Sequence, residues 1–177
     1  MAGSDVALTY RGRAWVFGDG VNTDDMFPGF ALALPVPEAA QHMFNATRPG
    51  WPRQVSAGDV LVGGRNFGMG SSRPVPLLLR ELGISCVAAE EFSSLFLRNC
   101  INYGLPAVTV PGIRGSVAEG QEVSIDIAGG VAENTTTGAR LRTASYPAFI
   151  LEILSCGGIL AKLERDGLLR PAAPRGE

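Results

Sequence analysis

One stretch constrains this chain more than any other. Val60, Leu61 and Val62 make a short apolar run, and Gly63-Gly64-Arg65-Asn66-Phe67-Gly68-Met69-Gly70-Ser71-Ser72-Arg73 follows it. An apolar segment with Leu77, Leu78, Leu79 and Leu82 comes next. The first run fits a buried strand, and the leucines fit the inner face of a helix over 74–82 with Gly83 as its C′ residue. Residues 84–89 then read as a second strand. Strand, glycine-rich loop, helix, strand is a βαβ unit, and a right-handed crossover between parallel strands is the expected topology. Composition agrees. Gly (23) and Pro (12) make up about a fifth of the 177 residues, against a usual ~12%. They follow no fixed period and are interleaved with apolar runs. That excludes collagen and argues against wholesale disorder and against a bundle of long helices.

The flanking sequence supplies further elements. Residues 13–17 read as a strand that stops at Gly18-Asp19-Gly20, and 22–25 as a polar loop. The apolar segment 27–34 contains Pro28 and Gly29, and its type is ambiguous. Residues 38–44 suit a short helix with Pro37 near its start. Phe92, Leu95, Phe96 and Cys100 recur near helical spacing over 93–101, and 106–110 read as a strand. The pattern then changes. Residues 123–127 alternate like a half-buried strand, Gly129-Gly130 turns the chain, and 131–134 suit its hairpin partner. A weaker strand over 141–144 and helices over 147–155 and 159–165 complete a single domain, 1–168. The tail 169–177, with two prolines and no core residue, is expected to be disordered.

Charge and cysteine usage exclude several function classes. Fifteen basic against 17 acidic side chains give a net charge of −2, with no basic footprint for nucleic acid. No run of 18 apolar residues exists to span a membrane. The first residues lack the apolar core of a secretory signal, so a cytoplasmic location is expected. Cys86, Cys100 and Cys156 are dispersed, odd in number and without a Cys-x-x-Cys. They suit buried thiols better than a disulfide framework or a zinc site. His42 is the single histidine and reads as an ordinary helical or loop residue, which leaves a Ser-His-Asp triad little support.

The glycine-rich loop is the place for chemistry. Backbone N–H groups between a strand and a helix suit an anion. The nucleotide motifs fail, however. Met69 stands after Gly68 where a Walker loop needs lysine, and Arg73 stands where a dinucleotide fingerprint needs a small residue. No Gly-x-Ser-x-Gly elbow occurs. What remains is Gly68-x-Gly70-Ser71-Ser72-Arg73. On pattern alone it is either a carboxylate-binding loop, gripped bidentately by Arg73 with serine donors, or merely a capped helix start with a solvated arginine.

The run 64–73 resembles the signature of the aconitase superfamily's swivelling domain, in the branch of the 3-isopropylmalate dehydratase small subunits. Asn22-Thr23-Asp24-Asp25-Met26-Phe27-Pro28 is similar to that family's Asn-x-Asp-Thr-Asp-x-Ile-Ile-Pro segment. Residues 92–105, with Phe96, Asn99-Cys100, Asn102 and Gly104-Leu105, resemble its Phe-Ala-x-Ile-Phe-x-x-Asn-x-x-x-x-Gly-Leu stretch. The end, Ile150-Leu151-Glu152-Ile153-Leu154 with Gly157-Gly158, fits as well. The likeness runs in order from about residue 13 to 163.

The resemblance implies an α/β fold of the aconitase swivelling type, with a mixed, partly barrel-like sheet flanked by helices. It implies half of a hydro-lyase that isomerises 2- and 3-isopropylmalate in leucine biosynthesis by dehydration and rehydration. The cofactor, a 4Fe-4S cluster, is expected on a large subunit, in a heterodimer or heterotetramer, with none bound by this chain. The substrate is a small di- or tricarboxylic acid. Ser71 is the implied general base and Arg73 its electrostatic support and substrate carboxylate ligand. Ser72 and Gly70 are implied substrate contacts, and Asp24 is placed at the cleft, positioning a basic partner group. Two features depart from the family pattern. Pro74-Val75-Pro76 replaces the usual Glu-His-Ala or Glu-Gln-Ala, and the selectivity segment 29–34, with Phe30 and Leu32, has no charge. An apolar substituent gains from burial there, whereas a third carboxylate would not. A divergent subunit for another malate-like acid, and a non-catalytic acid-binding module, share the same pattern.

Overall fold

The computed structural model describes residues 8–169, so the tail expected to be disordered lies outside the described residues except for Leu169. The glycine-rich unit forms as the sequence predicts. Strand β2 (Val60–Gly63) is buried at every position, the loop 64–73 follows, helix α3 (Val75–Glu81) crosses, and β3 (Cys86–Ala89) returns parallel to β2. Strand β1 (Thr9–Val16) pairs parallel with β2, and β4 (Ala107–Thr109) pairs parallel with β3. The second half is antiparallel. Strand β5 (Glu122–Asp126) lies against β1, β6 (Val131–Asn134) against β5, and β7 (Ala139–Arg142) against β6. The result is one mixed seven-stranded sheet in the order β4-β3-β2-β1-β5-β6-β7.

The parallel strands are buried on both faces, which is why they read as continuous apolar runs rather than as alternation. Their residues divide by pleat parity. Trp15, Leu61, Val87 and Ala89 join the core that holds Leu78 and Leu79 of α3. Phe96 and Cys100 of helix α4 (Ser94–Asn102) belong to the same core. Ala14, Val16, Val60, Val62, Cys86 and Ala88 join a second core with Val123 and Ile125 of β5 and Leu154 of helix α6 (Ala148–Ser155). Helix α7 (Ile159–Arg165) ends the described chain.

The structure corrects several expected boundaries. β1 begins at Thr9, because Thr9 to Arg13 pair with β5 through backbone bonds that a polar sequence does not advertise. Its Gly12 is required there: a Cβ would lie 2.1 Å from the Gly58 carbonyl oxygen. The expected helix over 38–44 is shorter and earlier, α2 (Val36–Ala40), and continues as turns. The segment expected as a polar loop at 22–25 contains a one-turn helix, α1 (Thr23–Met26), capped by the Asn22 side chain, which accepts from the Asp25 N–H at 2.8 Å. A further one-turn helix, α5 (Ile113–Ser116), was not expected. The ambiguous segment after Pro28 is a 3₁₀ turn, Gly29–Ala33. Among the described residues no helix is long and apolar enough to cross a membrane.

Candidate active site

Three parallel strands deliver their C-terminal ends to one edge of the sheet, the usual ligand edge of such folds. After β1 comes 17–27, after β2 the loop 64–73, and after β3 the segment 90–93. Backbone bonds zip them together. Gly20 N–H donates to Arg65 O and Gly68 N–H to Val21 O, both at 2.8 Å, and Thr23 N–H donates to Met69 O at 2.7 Å. On the other side, Phe67 N–H donates to Glu91 O and Ser93 N–H to Phe67 O, both at 2.9 Å. Phe67 is fully buried and packs edge-on against Phe17, Phe92 and Phe96. It anchors an otherwise polar loop.

The glycines let this loop come so close. Gly68 has φ +80°, and a Cβ there would sit 2.1 Å from Phe96 Cγ. Gly70 has φ +99° and passes over Thr23, whose Oγ1 would be 3.0 Å from a Cβ. Both values of φ belong to the region glycine alone enters freely. Thr23 is buried, and its hydroxyl donates to the Ser71 carbonyl at 2.9 Å.

Ser71, Arg73 and Asp24 come together here. Ser71 Oγ accepts from Arg73 Nε at 3.2 Å and donates to Asp24 Oδ1 at 3.3 Å. Arg73 Nη2 lies 2.6 Å from the same Oδ1. Arg73 Nη1 donates to the Phe27 carbonyl. The arginine side chain is 18% exposed against 64% for Asp24, so the guanidinium is held and the carboxylate faces outward. The alternative of a solvated arginine is thereby removed. Among the described residues, the Ser71 and Ser72 N–H groups donate to no backbone carbonyl.

Pro74 and Pro76 open the helix that follows the site. Pro74 is the N-cap of α3, with φ −76° and ψ 33°, and Pro76 stands in the first turn, where an N–H has no helical partner to lose. The cap is thus Pro74, one residue after Arg73.

Phe30 and Leu32 stand on the 3₁₀ turn, 67% and 55% exposed, and Phe30 packs edge-on against His42 at 5.1 Å. Their turn starts beside the Ser71–Arg73–Asp24 group: a Cβ on Gly29 would lie 3.8 Å from Arg73 Nη1. Asn99 of α4 is a site neighbour the sequence assigned no role. Its Nδ2 donates to Ser72 Oγ at 3.0 Å. The Phe27 carbonyl and the Thr23 hydroxyl were likewise unassigned. Only their membership of the Asn22 to Pro28 segment pointed to them.

Cys86 and Cys100 are fully buried, and burial pushes both thiols up, against the deprotonation that a metal ligand needs. Among the described residues no three His, Cys, Asp or Glu side chains converge as a metal site.

Residues 41–112, which include the whole glycine-rich loop, match the aconitase C-terminal domain. The 3-isopropylmalate dehydratase small subunit 1 of Methanopyrus kandleri is 42% identical over 159 residues, covering 89% of this chain and 94% of that protein. The isopropylmalate/citramalate isomerase small subunit of Methanocaldococcus jannaschii is 43% identical, covering 88% and 94%. A methanogen homoaconitase small subunit from Methanothermobacter thermautotrophicus is 40% identical, covering 85% and 88%. A crystal structure of 3-isopropylmalate dehydratase from Methanocaldococcus jannaschii superposes with a TM-score of 0.84 at 33% identity, over 90% of this chain and 96% of that one. The chain belongs to the 3-isopropylmalate dehydratase small-subunit family.

Proposed function

We propose that this chain is the small subunit of a cytoplasmic hydro-lyase that isomerises isopropylmalate in leucine biosynthesis, working with a large subunit that carries a 4Fe-4S cluster. The observation that carries the reading is the Ser71 hydroxyl, held between the Arg73 guanidinium and the Asp24 carboxylate on the family's loop. The cluster supplies a Lewis acid for departure of the substrate hydroxyl. This chain supplies the base. Asp24 takes the Ser71 proton, and Arg73 Nε–H offsets the charge left on Oγ. Oγ then removes a proton from substrate carbon. Arg73, fixed by the Phe27 carbonyl, receives a substrate carboxylate, and the Ser71 and Ser72 N–H groups, which donate to no backbone carbonyl among the described residues, are further donors for an anion.

The apolar turn supports isopropylmalate over the tricarboxylic alternatives. Gly29 to Leu34 begin beside Arg73 and carry no charge, so an isopropyl group gains burial there and a carboxylate finds no partner. The test is turnover by the complex reconstituted with its large subunit. Isopropylmalate is expected to exceed homoaconitate in kcat/KM by about 100-fold or more. Comparable values for the two acids would contradict the proposal.

A further inference from the structure

We infer that Asn99 is a positioning residue that fixes Ser72 as a hydrogen-bond donor to substrate, a role that rests on the function proposed above. The two adjacent serines are wired differently. The Ser71 hydroxyl has both a donor, Arg73 Nε, and an acceptor, Asp24 Oδ1, so its proton is committed within the chain. The Ser72 hydroxyl has a donor, Asn99 Nδ2 at 3.0 Å, and among the described residues no acceptor. A hydroxyl carries one proton and two lone pairs. With one lone pair taken by the amide, the proton turns to the other side, and Ser72 is exposed on that loop. Its proton is the one left for an incoming carboxylate or hydroxyl oxygen.

Asn99 is presented to Ser72 by a helix anchored in the core. It lies on α4 between Phe96 and Cys100, both buried, and its backbone carbonyl accepts from the Tyr103 N–H at 2.9 Å. The polarity of the amide matters. A group that could only accept at this position would claim the Ser72 proton and abolish the donor. Asparagine supplies the donor, and aspartate would supply only acceptors.

The test is a double-mutant cycle in the reconstituted complex, read as KM and kcat for isopropylmalate and as the dissociation constant of malate by calorimetry. Asn99→Ala is expected to raise KM and the malate constant about fivefold and to leave kcat within about twofold, the loss of one neutral hydrogen bond. Asn99→Asp is expected to raise them further, by about 30-fold, since it reverses the polarity and adds charge beside an anion. In a Ser72→Ala background Asn99→Ala should add nothing. If Asn99→Ala fails to assemble, Asn99→Leu, which keeps the volume, takes its place in the cycle. Additive effects, or equal effects of Ala and Asp, overturn the positioning role and leave the function standing. A coupled cycle in malate binding without isopropylmalate turnover overturns the substrate and leaves Asn99 in its role.

Discussion

Asp24 Oδ1 lies 2.6 Å from Arg73 Nη2 and 3.3 Å from Ser71 Oγ, so one carboxylate oxygen serves both the arginine and the serine. The pair is outward-facing on the aspartate side, and its worth to stability is small, about 1 kcal/mol or less. In the mechanism proposed above its worth to chemistry is larger. Asp24→Asn is expected to lower kcat by about 100-fold through loss of the proton acceptor. The melting temperature should shift by no more than ~4 °C. Steady-state kinetics and a thermal melt on the same preparation check both, and an unchanged kcat would remove Asp24 from the mechanism.

Close backbone approach sets the loop together with the Phe67 anchor. Gly68→Ala forces a Cβ onto Phe96 at a positive φ and is expected to cost more than about 2 kcal/mol. Gly18→Ala, with nothing within 4 Å, should be within about 0.5 kcal/mol of wild type. Urea unfolding midpoints distinguish the two.

A half-buried ion pair away from the site gives a pH test. Asp59 accepts from Trp15 Nε1 at 2.7 Å, Arg13 Nη2 at 2.8 Å and the Ser56 N–H at 2.9 Å. Burial raises its carboxyl, but the hydrogen bonds from Arg13, Ser56 and Trp15 outweigh it and hold the group below the usual range. A carboxyl depressed in the folded state stabilises above its unfolded pKa of about 3.9, and that contribution is lost as pH falls through the folded value. Asp59→Asn is therefore expected to cost about 1–3 kcal/mol at pH 7, with the gap to wild type narrowing at pH 3. Urea unfolding at the two pH values measures it.

Thiol reactivity follows from burial. Cys86 and Cys100 are inaccessible and burial raises their thiols, whereas Cys156 is only partly buried. One thiol should react with a chromogenic disulfide reagent in native buffer and three in denaturant. Fast reaction of two or more in native buffer would contradict the packing.

Elements with apolar content were legible in the sequence, and those made by backbone pairing or by capping were not. The Val60 to Val62 strand and the leucine-faced helix after the loop announce themselves because both are buried. The first half of β1 and the shift of β7 to Ala139–Arg142 escape because their exposed residues carry no pattern. Helix α1 escapes because one turn has no period, and its stability rests on the Asn22 cap. At the site, Ser71 and Arg73 lie two residues apart in one motif. The Ser72–Asn99 contact joins a loop to a helix 27 residues on, and no local pattern signals it.

The central claim is that this chain supplies the base through Ser71. Ser71→Ala removes the hydroxyl and keeps the loop, whose contacts are to the Ser71 carbonyl and to its neighbours. In the complex reconstituted with its large subunit, single-turnover and steady-state rates for isopropylmalate are expected to fall by about 10²–10⁴-fold with malate binding retained. A loss of less than about 10-fold would contradict the account.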